Sequence, residues 1–432
     1  MRAQAFAVAE PSSPAAVPEL ADAGNGGVAG DPTVPRGAVL ALSLAAFASG
    51  ISLRVCDALL PRLAHEFSLD LGQAAGVIAV FSIAYGVAQL FFGPMGDRFG
   101  KYVVIAWACL ACVITTALCA LAPTFSLLLV ARIMAGATAA AVIPLSMAWI
   151  GDVIAYERRQ AVLARFLIGQ ILGLSAGVWL GGFAADHLDW RTPFVGIAGL
   201  FLVVSLILLK VNRGLPPSTR VLRHGHGSAL ARMRSEFTQV LRVPWARVVL
   251  LTVFLEGAFL YGAFAFIVSH LHRTHQISLA QAGSVVMLFG FGGLLFAVAA
   301  STFVRRLGEA GLAKWGGILI AASFLTIALA PQWWWAIPAC FVSGLGFYMF
   351  HNTLQINATQ MAPERRGASV AAFASCFFLG QSVGVGIDGQ LVTMFGTSSA
   401  IVPGALGVLL VALNFSRLRT ARPQQAMSTS AA

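Results

Sequence analysis

Long apolar runs alternate along this chain with short polar or charged segments. A helix that crosses the ~30 Å hydrocarbon layer of a bilayer needs about 20 mostly apolar residues. Twelve runs of about that length follow residue 36, whereas a membrane β-barrel would show alternating segments of about ten residues. The pattern predicts an all-α membrane protein with twelve transmembrane helices. The predicted spans, numbered 1 to 12, are residues 38–60, 72–93, 102–122, 125–147, 162–185, 192–210, 246–269, 282–304, 313–331, 335–357, 368–394 and 398–416.

Composition and the placement of charge agree with this prediction. Only 10% of the residues are charged, whereas soluble domains have about a quarter. The net charge of +11 could indicate a nucleic-acid partner, but its distribution does not. Of 28 Lys and Arg, Arg62, Arg191 and Arg273 fall in one set of loops, Arg54 and Arg132 lie inside spans, and the remaining 23 lie in the alternate loops, the tails or the adjoining span ends. The positive-inside rule then predicts a plasma (inner) membrane protein with both termini in the cytoplasm and no nucleic-acid partner.

The chain divides near residues 211–245, with six predicted spans on each side. Residues 73–81 match residues 281–289 at an offset of 208, and residues 157–161 match residues 364–368 at an offset of 207. Two parallel six-helix repeats are therefore predicted, with a substrate path between them. The predicted domains are a disordered cytoplasmic tail (1–36), an N-terminal six-helix bundle (37–210), a cytoplasmic basic linker (211–245), a C-terminal six-helix bundle (246–417) and a cytoplasmic tail (418–432).

A tight charged turn joins spans 2 and 3, with the pattern Gly93-x-x-x-Asp97-Arg98-x-Gly100-Lys101. Its glycines permit a close turn, and a carboxylate near a helix N-terminus is stabilised by about 0.3–1 kcal/mol. We interpret the turn as a cytoplasmic gate that holds the two halves together in one state and releases them in another. The alternative is an ordinary solvated turn that carries positive-inside charge.

Two further motifs lie in spans 4 and 5. Span 4 carries Arg132-x-x-x-Gly136, and span 5 has Val178 directly after Gly177 in a set of regularly spaced glycines. With the turn described above, these motifs make the chain after residue 36 similar to the major facilitator superfamily, and within it to the twelve-helix drug/proton antiporter branch, although that branch has Pro where Val178 stands. The span 5 glycines in this motif are Gly173, Gly177, Gly181 and Gly182.

The resemblance implies the major facilitator fold and transport by alternating access. It also implies that spans 1, 4, 7 and 10 line the cavity and that Asp97 lies against the start of span 11. The span 5 glycines are expected to let another helix approach closely and to form part of the seam between the halves.

Charged side chains inside the spans are the candidates for substrate binding and proton coupling. Arg54 and Asp57 lie three residues apart and share a helix face, and Arg132 lies at a similar depth. An intramembrane charge costs about 2.5–3.5 kcal/mol on insertion scales, so these side chains are expected to cluster away from lipid. Two interpretations remain open, namely a functional cluster in which Asp57 carries the proton, and a structural ion pair that closes the outer side.

Glu256 lies near the middle of span 7, and its own span offers no basic partner. Burial disfavours the charged form of a carboxyl, so Glu256 is the second candidate for proton uptake and release; a neutral carboxyl bonded to packing neighbours is the alternative. Asp388 is expected to pair with Arg54 or Arg132. The remaining cavity candidates are Tyr261 in span 7 and the polar stripe His351, Asn352 and Gln355 in span 10.

These residues predict a secondary active transporter, with proton-coupled efflux of small organic or drug-like compounds as the leading function. The alternatives are a proton-coupled importer of a metabolite or organic anion, which would bind to Arg54 or Arg132, and a non-transporting sensor on the same scaffold. The sequence has no P-loop, metalloprotease helix or dinucleotide fingerprint. We therefore expect a monomer that is not an enzyme, with no cofactor or metal, whose partners are a small-molecule substrate, protons and the lipid bilayer.

The predicted orientation can be tested by cysteine labelling. Arg220→Cys, in the central linker, should react with a membrane-impermeant maleimide in inside-out vesicles and stay unlabelled in intact cells. Ser68→Cys, between spans 1 and 2, should give the opposite pattern, and the six native cysteines all lie in predicted spans. Labelling of position 220 in intact cells would contradict the orientation.

Overall fold

The computed structural model describes residues 36–216, 219 and 229–429. Every regular element in these residues is a helix. The elements are α1 (Arg36–Glu66), α2 (Leu71–Ala74), α3 (Gly76–Phe99), α4 (Lys101–Leu121), α5 (Phe125–Ala139), α6 (Val142–Val153), α7 (Tyr156–His187), α8 (Thr192–Arg213), α9 (Ala229–Arg242), α10 (Pro244–Glu256), a π-helix (Gly257–Tyr261), α11 (Gly262–Phe264), α12 (Ile267–His275), α13 (Leu279–Val286), α14 (Leu288–Leu329), a 3₁₀ turn (Trp333–Trp335), α15 (Ala336–Gln360), a second 3₁₀ turn (Pro363–Arg365), α16 (Arg366–Phe395) and α17 (Ser398–Thr429).

The protein is a multi-pass membrane protein, since eleven helical segments of the described chain are long and apolar enough to cross a bilayer. The longest segment, Leu279–Leu329, has 51 residues and contains both predicted spans 8 and 9. A continuous helix of that length would reach about 77 Å, more than twice the thickness of the hydrocarbon layer. Gly308 interrupts it with φ 62° and ψ 176°, which are not helical. The predicted total of twelve spans depends on counting this segment twice.

The predicted tails and linker differ in part from the observed helices. The N-terminal tail lies outside the described residues except for Arg36, which begins α1. Part of the linker, residues 217, 218 and 220–228, also lies outside them, but the rest includes a helix, α9, that the apolar pattern did not predict. At the other end of the chain, α17 continues to Thr429, so the predicted C-terminal tail is helical as far as it is described.

Positions related by the offset of 208 have the same local structure. The carboxylate of Asp70 caps α2 by accepting from Gln73 N–H at 2.7 Å, and the hydroxyl of Ser278 caps α13 by accepting from Gln281 N–H at 3.1 Å. In both helices the glutamine side chain also accepts a hydrogen bond from the backbone N–H of the capping residue. This reciprocal arrangement, a capping box, satisfies two N–H groups that the first turn of a helix leaves free.

The two turns that follow these helices also correspond. Gly100, between α3 and α4, has φ 93°, and Gly308, at the offset of 208, has φ 62°. Positive φ values favour glycine because it lacks a Cβ atom. Each glycine therefore fixes a sharp turn at the same end of the helix bundle. We call this end, which carries residues 93–101, the motif end, and the other end the opposite end.

Close helix packing repeats at the offset of 207. A Cβ atom on Gly173 would collide with the carbonyl oxygen of Phe47, and one on Gly380 would collide with the carbonyl oxygen of Phe254. Glycines thus bring α7 against α1 and α16 against α10, with backbones in direct contact. Small residues permit such an approach between helices in a membrane.

Three of the four motif glycines of α7 do not lie at the seam between the halves, where they were predicted. Gly173, Gly177 and Gly181 face backbone carbonyls of α1, within the same half of the chain. The expectation that they form the seam between the halves is therefore wrong. Gly182 is the member of the motif that does reach the seam, where it packs against Leu279 and Gly283 of α13.

Candidate functional site

The first charged pair of the site lies in α1. Arg54 and Asp57 form an ion pair with 3.3 Å between Nη1 and Oδ2, and their side chains are 3% and 1% exposed. One turn of helix separates the two residues, as their spacing predicted. The other carboxylate oxygen, Asp57 Oδ1, is buried and has no hydrogen-bond partner in the described chain. The pair is thus buried but not fully satisfied.

Arg54 also joins the two halves of the chain. Its Nη2 donates to Gln381 Oε1 in α16 at 3.4 Å, and Gln381 Nε2 donates to Ser82 Oγ in α3 at 2.9 Å. The guanidinium carbon lies 3.8 Å from the centre of the Tyr261 ring, which belongs to the π-helix. A cation over an aromatic face is attracted by the ring, more strongly when both are desolvated. Arg54 therefore contacts α16 and the π-helix across the seam, and Gln381 extends the link back to α3.

An aromatic cluster leads from Arg54 to the second charged pair. Tyr261 packs edge-on against Phe347 and Phe377, with 5.4 Å between ring centres in each case. Phe347 in turn stacks on the imidazole of His351 at 4.9 Å. The two charged pairs are therefore separated by packed rings rather than by solvent.

The second pair joins the carboxyl of Glu256, at the end of α10, to the imidazole of His351 in α15. His351 Nδ1 lies 2.9 Å from Glu256 Oε2, and the Glu256 side chain is fully buried. Its other oxygen, Oε1, has no hydrogen-bond partner in the described chain. A buried carboxyl that has a single titratable partner can exchange a proton with it over one hydrogen bond. Sequence analysis had selected both residues but had not paired them.

Three other predicted cavity residues, Asn352, Gln355 and Asp388, do not form hydrogen bonds or ion pairs with these two pairs in the described chain. Asn352 and Gln355 are half-buried on α15, and neither side chain hydrogen-bonds another described residue. Asp388 of α16 is 8% exposed and lies against Gly262. No ion pair in the described chain joins Asp388 to Arg54 or Arg132, so that expected pairing is wrong.

Arg132 is buried at 1% exposure, but it holds helices together rather than facing the seam. Its Nε donates to Val77 O at 3.2 Å, its Nη1 donates to Ser52 O at 3.1 Å, and its guanidinium lies 4.1 Å from the centre of the Phe81 ring. Gly136, one turn later, packs against the Phe81 carbonyl. The Arg132-x-x-x-Gly136 motif thus seats α5 on α1 and α3.

At the motif end, the residues of the gate motif bond within their own half. Lys101 Nζ lies 2.9 Å from Asp97 Oδ1 and 2.7 Å from Asp152 Oδ2 of α6, and Lys101 is 9% exposed. Arg98 is exposed and lies over the ring of Phe99, and Gly93 has open space around it. In the described chain no hydrogen bond or ion pair joins this motif to α16, although the resemblance had placed Asp97 there.

A small cavity lies at the seam beside Arg54. Its lining includes Ser175 of α7, Tyr261 and Tyr348, and its remaining walls are mostly apolar. The cavity volume open to water is about 10 Å³, which is room for about one water molecule. Within the described residues, no group of three or more His, Cys, Asp or Glu side chains is placed to hold a metal ion.

Sequence reasoning missed Gln381 and Ser82, which complete the link between the halves. The sequence did indicate Gln381, because a polar amide inside an apolar run is uncommon and usually faces other helices. The pairing of Glu256 with His351 had no sequence signal, since 95 residues separate them.

Comparisons with known proteins agree with this architecture. A profile of the Major Facilitator Superfamily matches residues 42–385. An uncharacterized MFS-type transporter of Bacillus subtilis, YceJ, is 24% identical over 80% of this chain and 86% of its own length. The multidrug export protein EmrB of Haemophilus influenzae is 28% identical over 40% of this chain and 34% of its own length. The crystal structure of the nucleoside transporter NupG superposes with a TM-score of 0.71 at 15% identity, covering 87% of this chain and 98% of that one.

A bundle of membrane helices with buried ion pairs at a central seam defines a class of membrane transporters. The chain belongs to the Major Facilitator Superfamily, because the family profile spans most of it. It is therefore a transporter-family protein and not an enzyme.

The contacts of Arg132 predict a structural role that can be measured separately from ligand binding. Arg132→Gln should lower the free energy of unfolding by about 2–4 kcal/mol, because two buried charge-assisted hydrogen bonds are lost. Thermal unfolding of the purified protein in detergent would measure the effect, with exposed Arg98→Gln as the control. Equal stability of the two variants would contradict this role.

Proposed function

We propose that this protein is a secondary active transporter that exports small organic compounds in exchange for protons by alternating access. In this proposal, twelve spans form two parallel six-helix repeats, and a monomer lies in the inner membrane with both termini in the cytoplasm. The shared capping boxes, the two sharp glycine turns and the repeated glycine contacts support the repeats. The interruption at Gly308 supports counting two spans in Leu279–Leu329.

The observation that carries the proton-coupling proposal is the pair Glu256 and His351. The carboxyl is fully buried, and within the described residues its one bonded titratable partner is the imidazole at 2.9 Å. A proton on Glu256 removes a buried charge, whereas loss of that proton leaves a charge whose bonded partner in the described residues is His351. The protonation state of the pair therefore changes the relative free energies of the conformations in which the space around it is open or closed.

The aromatic cluster connects the Glu256–His351 pair to the seam. His351 stacks on Phe347, which contacts Tyr261, and Tyr261 lies on Arg54. The π-helix between Glu256 and Tyr261 is a wider turn of a kind that often occurs at functional positions. A rearrangement at Glu256 can thus move Tyr261 and alter the contact between the halves.

The state of the two ends supports an inward-facing arrangement. The halves touch at the opposite end, where Gly182 packs on α13, while the gate motif at the motif end has no bond to α16 in the described chain. If the motif end faces the cytoplasm, as positive-inside charge predicts, closure there would bring Asp97 towards the start of α16. The Asp97–Lys101–Asp152 cluster would hold the turn ready for that contact.

Export is the preferred direction for two reasons. Arg132-x-x-x-Gly136 resembles a motif of the antiporter branch, and part of the chain is similar to a multidrug export protein. The many aromatic and aliphatic side chains around the seam also suit an amphipathic organic compound.

Replacement of the proposed proton carrier tests the coupling. Glu256→Gln should abolish proton-driven transport while the protein still inserts and folds, because the amide is nearly isosteric but cannot release a proton. Transport into or out of proteoliposomes under an imposed pH gradient measures the effect. Glu236→Gln in α9 is the matched control and should transport normally; equal loss or equal activity in both variants would contradict the proposal.

A second candidate function is transport of an organic anion, and the geometry of Arg54 favours it. The bonds from Arg54 to Asp57 and Gln381 measure 3.3 and 3.4 Å, whereas charge-assisted bonds are usually about 2.7–2.9 Å. Arg54 is also the charged side chain on the wall of the seam cavity. A substrate carboxylate could bind it with shorter bonds in a wider state of the cavity, in competition with Asp57.

This competition predicts that substitutions of Arg54 and of Asp57 have opposite effects on anion binding. Asp57→Asn should raise the affinity for benzoate by about tenfold, and Arg54→Gln should lower it by about tenfold or more. Isothermal titration of the purified protein with benzoate, and with neutral benzamide as the control, would measure both. If Arg54 and Asp57 form only a structural pair, neither variant will discriminate between the two probes.

A further inference from the structure

We propose that Asp70 and Asp186, two carboxylates of the N-terminal half, hold the opposite end closed by accepting hydrogen bonds from the C-terminal half. Neither residue belongs to the site described above, and both are far in sequence from their partners. The inference rests on the proposed alternating access, since it assigns the contacts that must break when this end opens. Asp70 and Asp186 are positioning residues and have no direct role in binding substrate.

The first contact joins the start of α2 to the end of α16. The hydroxyl of Thr393 donates to Asp70 Oδ1 at 2.9 Å, and it also lies 3.0 Å from the carbonyl of Gly389 one turn earlier. Asp70 Oδ1 simultaneously caps its own helix. The backbones meet directly here, because a Cβ atom on Gly72 would collide with the carbonyl of Gly389.

The second contact joins the end of α7 to the start of α13. The backbone N–H of Ala280 donates to Asp186 Oδ2 at 2.6 Å. Ser278 already satisfies the N–H of Gln281 in this turn, so Asp186 supplies an acceptor for a second free N–H from the other half of the chain. Beside it, a Cβ atom on Gly182 would collide with the carbonyl of Leu279.

The two contacts correspond to each other through the repeat offsets. Ser278 follows Asp70 by 208 residues, and Thr393 follows Asp186 by 207. The positions of Asp70 and Thr393 thus correspond to those of Ser278 and Asp186, with carboxylate and hydroxyl exchanged. Asp70 accepts from the Thr393 hydroxyl, whereas Asp186 accepts from the backbone of Ala280, two residues after Ser278. The glycines correspond as well, since Gly389 follows Gly182 by 207. In consequence both acceptors lie on one half, and both donors on the other.

These contacts are suited to repeated opening because they are exposed at the surface. Thr393 and Asp186 are both exposed, so water can replace each bond when the ends separate. Bonds of this kind have a small net effect, and loss of one should change the ratio of closed to open molecules by about fivefold. The buried pairs in the middle of the seam have no such replacement by water.

The experiment measures access to the seam from each side of the membrane. Met287, which lines the seam cavity, is replaced by Cys in a background without the six native cysteines. A membrane-impermeant maleimide is then added either to the side of the opposite end or to the side of the motif end. The labelling rate from each side reports the fraction of molecules open to that side, even when that fraction is small.

Four variants of this protein are compared, and thermal unfolding of each is measured in parallel. Thr393→Val and Asp186→Ala should each raise the labelling rate from the opposite end by about fivefold, and the double variant by about 25-fold. Thr393→Ser keeps the hydroxyl and should label as the parent does. A purely structural role would lower the unfolding temperature and raise the rates from both sides together, which would overturn the proposal.

Two other outcomes separate this inference from the proposed function. If the parent is labelled from both sides and none of the variants changes the ratio of the two rates, the contacts do not hold the end closed and the inference is wrong. If the parent and every variant are labelled from one side only, the protein does not alternate, and the proposed function fails together with the inference.

Discussion

The arrangement of this protein depends on the cost of leaving a charge unpaired inside a membrane. Hydrocarbon offers no hydrogen bonds, so each polar side chain of a span must find its partner in the protein. The described chain meets this constraint in part with two pairs, Arg54 with Asp57 and Glu256 with His351, each of which leaves one carboxyl oxygen without a partner in the described residues. The Arg54–Asp57 pair lies where helices of the two halves meet, and the aromatic cluster connects the Glu256–His351 pair to it.

The position of Arg54 connects this constraint to the symmetry of the chain. Tyr261 follows Arg54 by 207 residues, so the two side chains that contact each other across the seam occupy corresponding positions of the repeats. The same offset relates the glycine contacts of α7 and α16. A repeated scaffold thus places unlike residues face to face, with a cation on one side and an aromatic ring on the other.

Much of the fold could be predicted from the sequence, because the length and apolar composition of a span are properties of a single segment. The repeat offsets could be predicted by matching segments of the chain, and the residues of the two pairs by their polarity inside apolar runs. Partners from distant helices could not be predicted, because no local pattern indicates that His351 meets Glu256, that Gln381 meets Arg54, or that the α7 glycines face α1. Arg132 was grouped with Arg54 by depth alone, and depth does not specify which side of a helix bundle a side chain faces.

The central claim is that proton binding at the seam decides which end of the protein opens. Substrate-induced proton flux in proteoliposomes of the wild-type protein tests it most directly, with the internal pH followed by a trapped dye during a screen of organic substrates. We predict that a transported compound moves protons in the opposite direction and that its accumulation stops when the pH difference is collapsed. Equal accumulation with the gradient present, collapsed and reversed would contradict the claim.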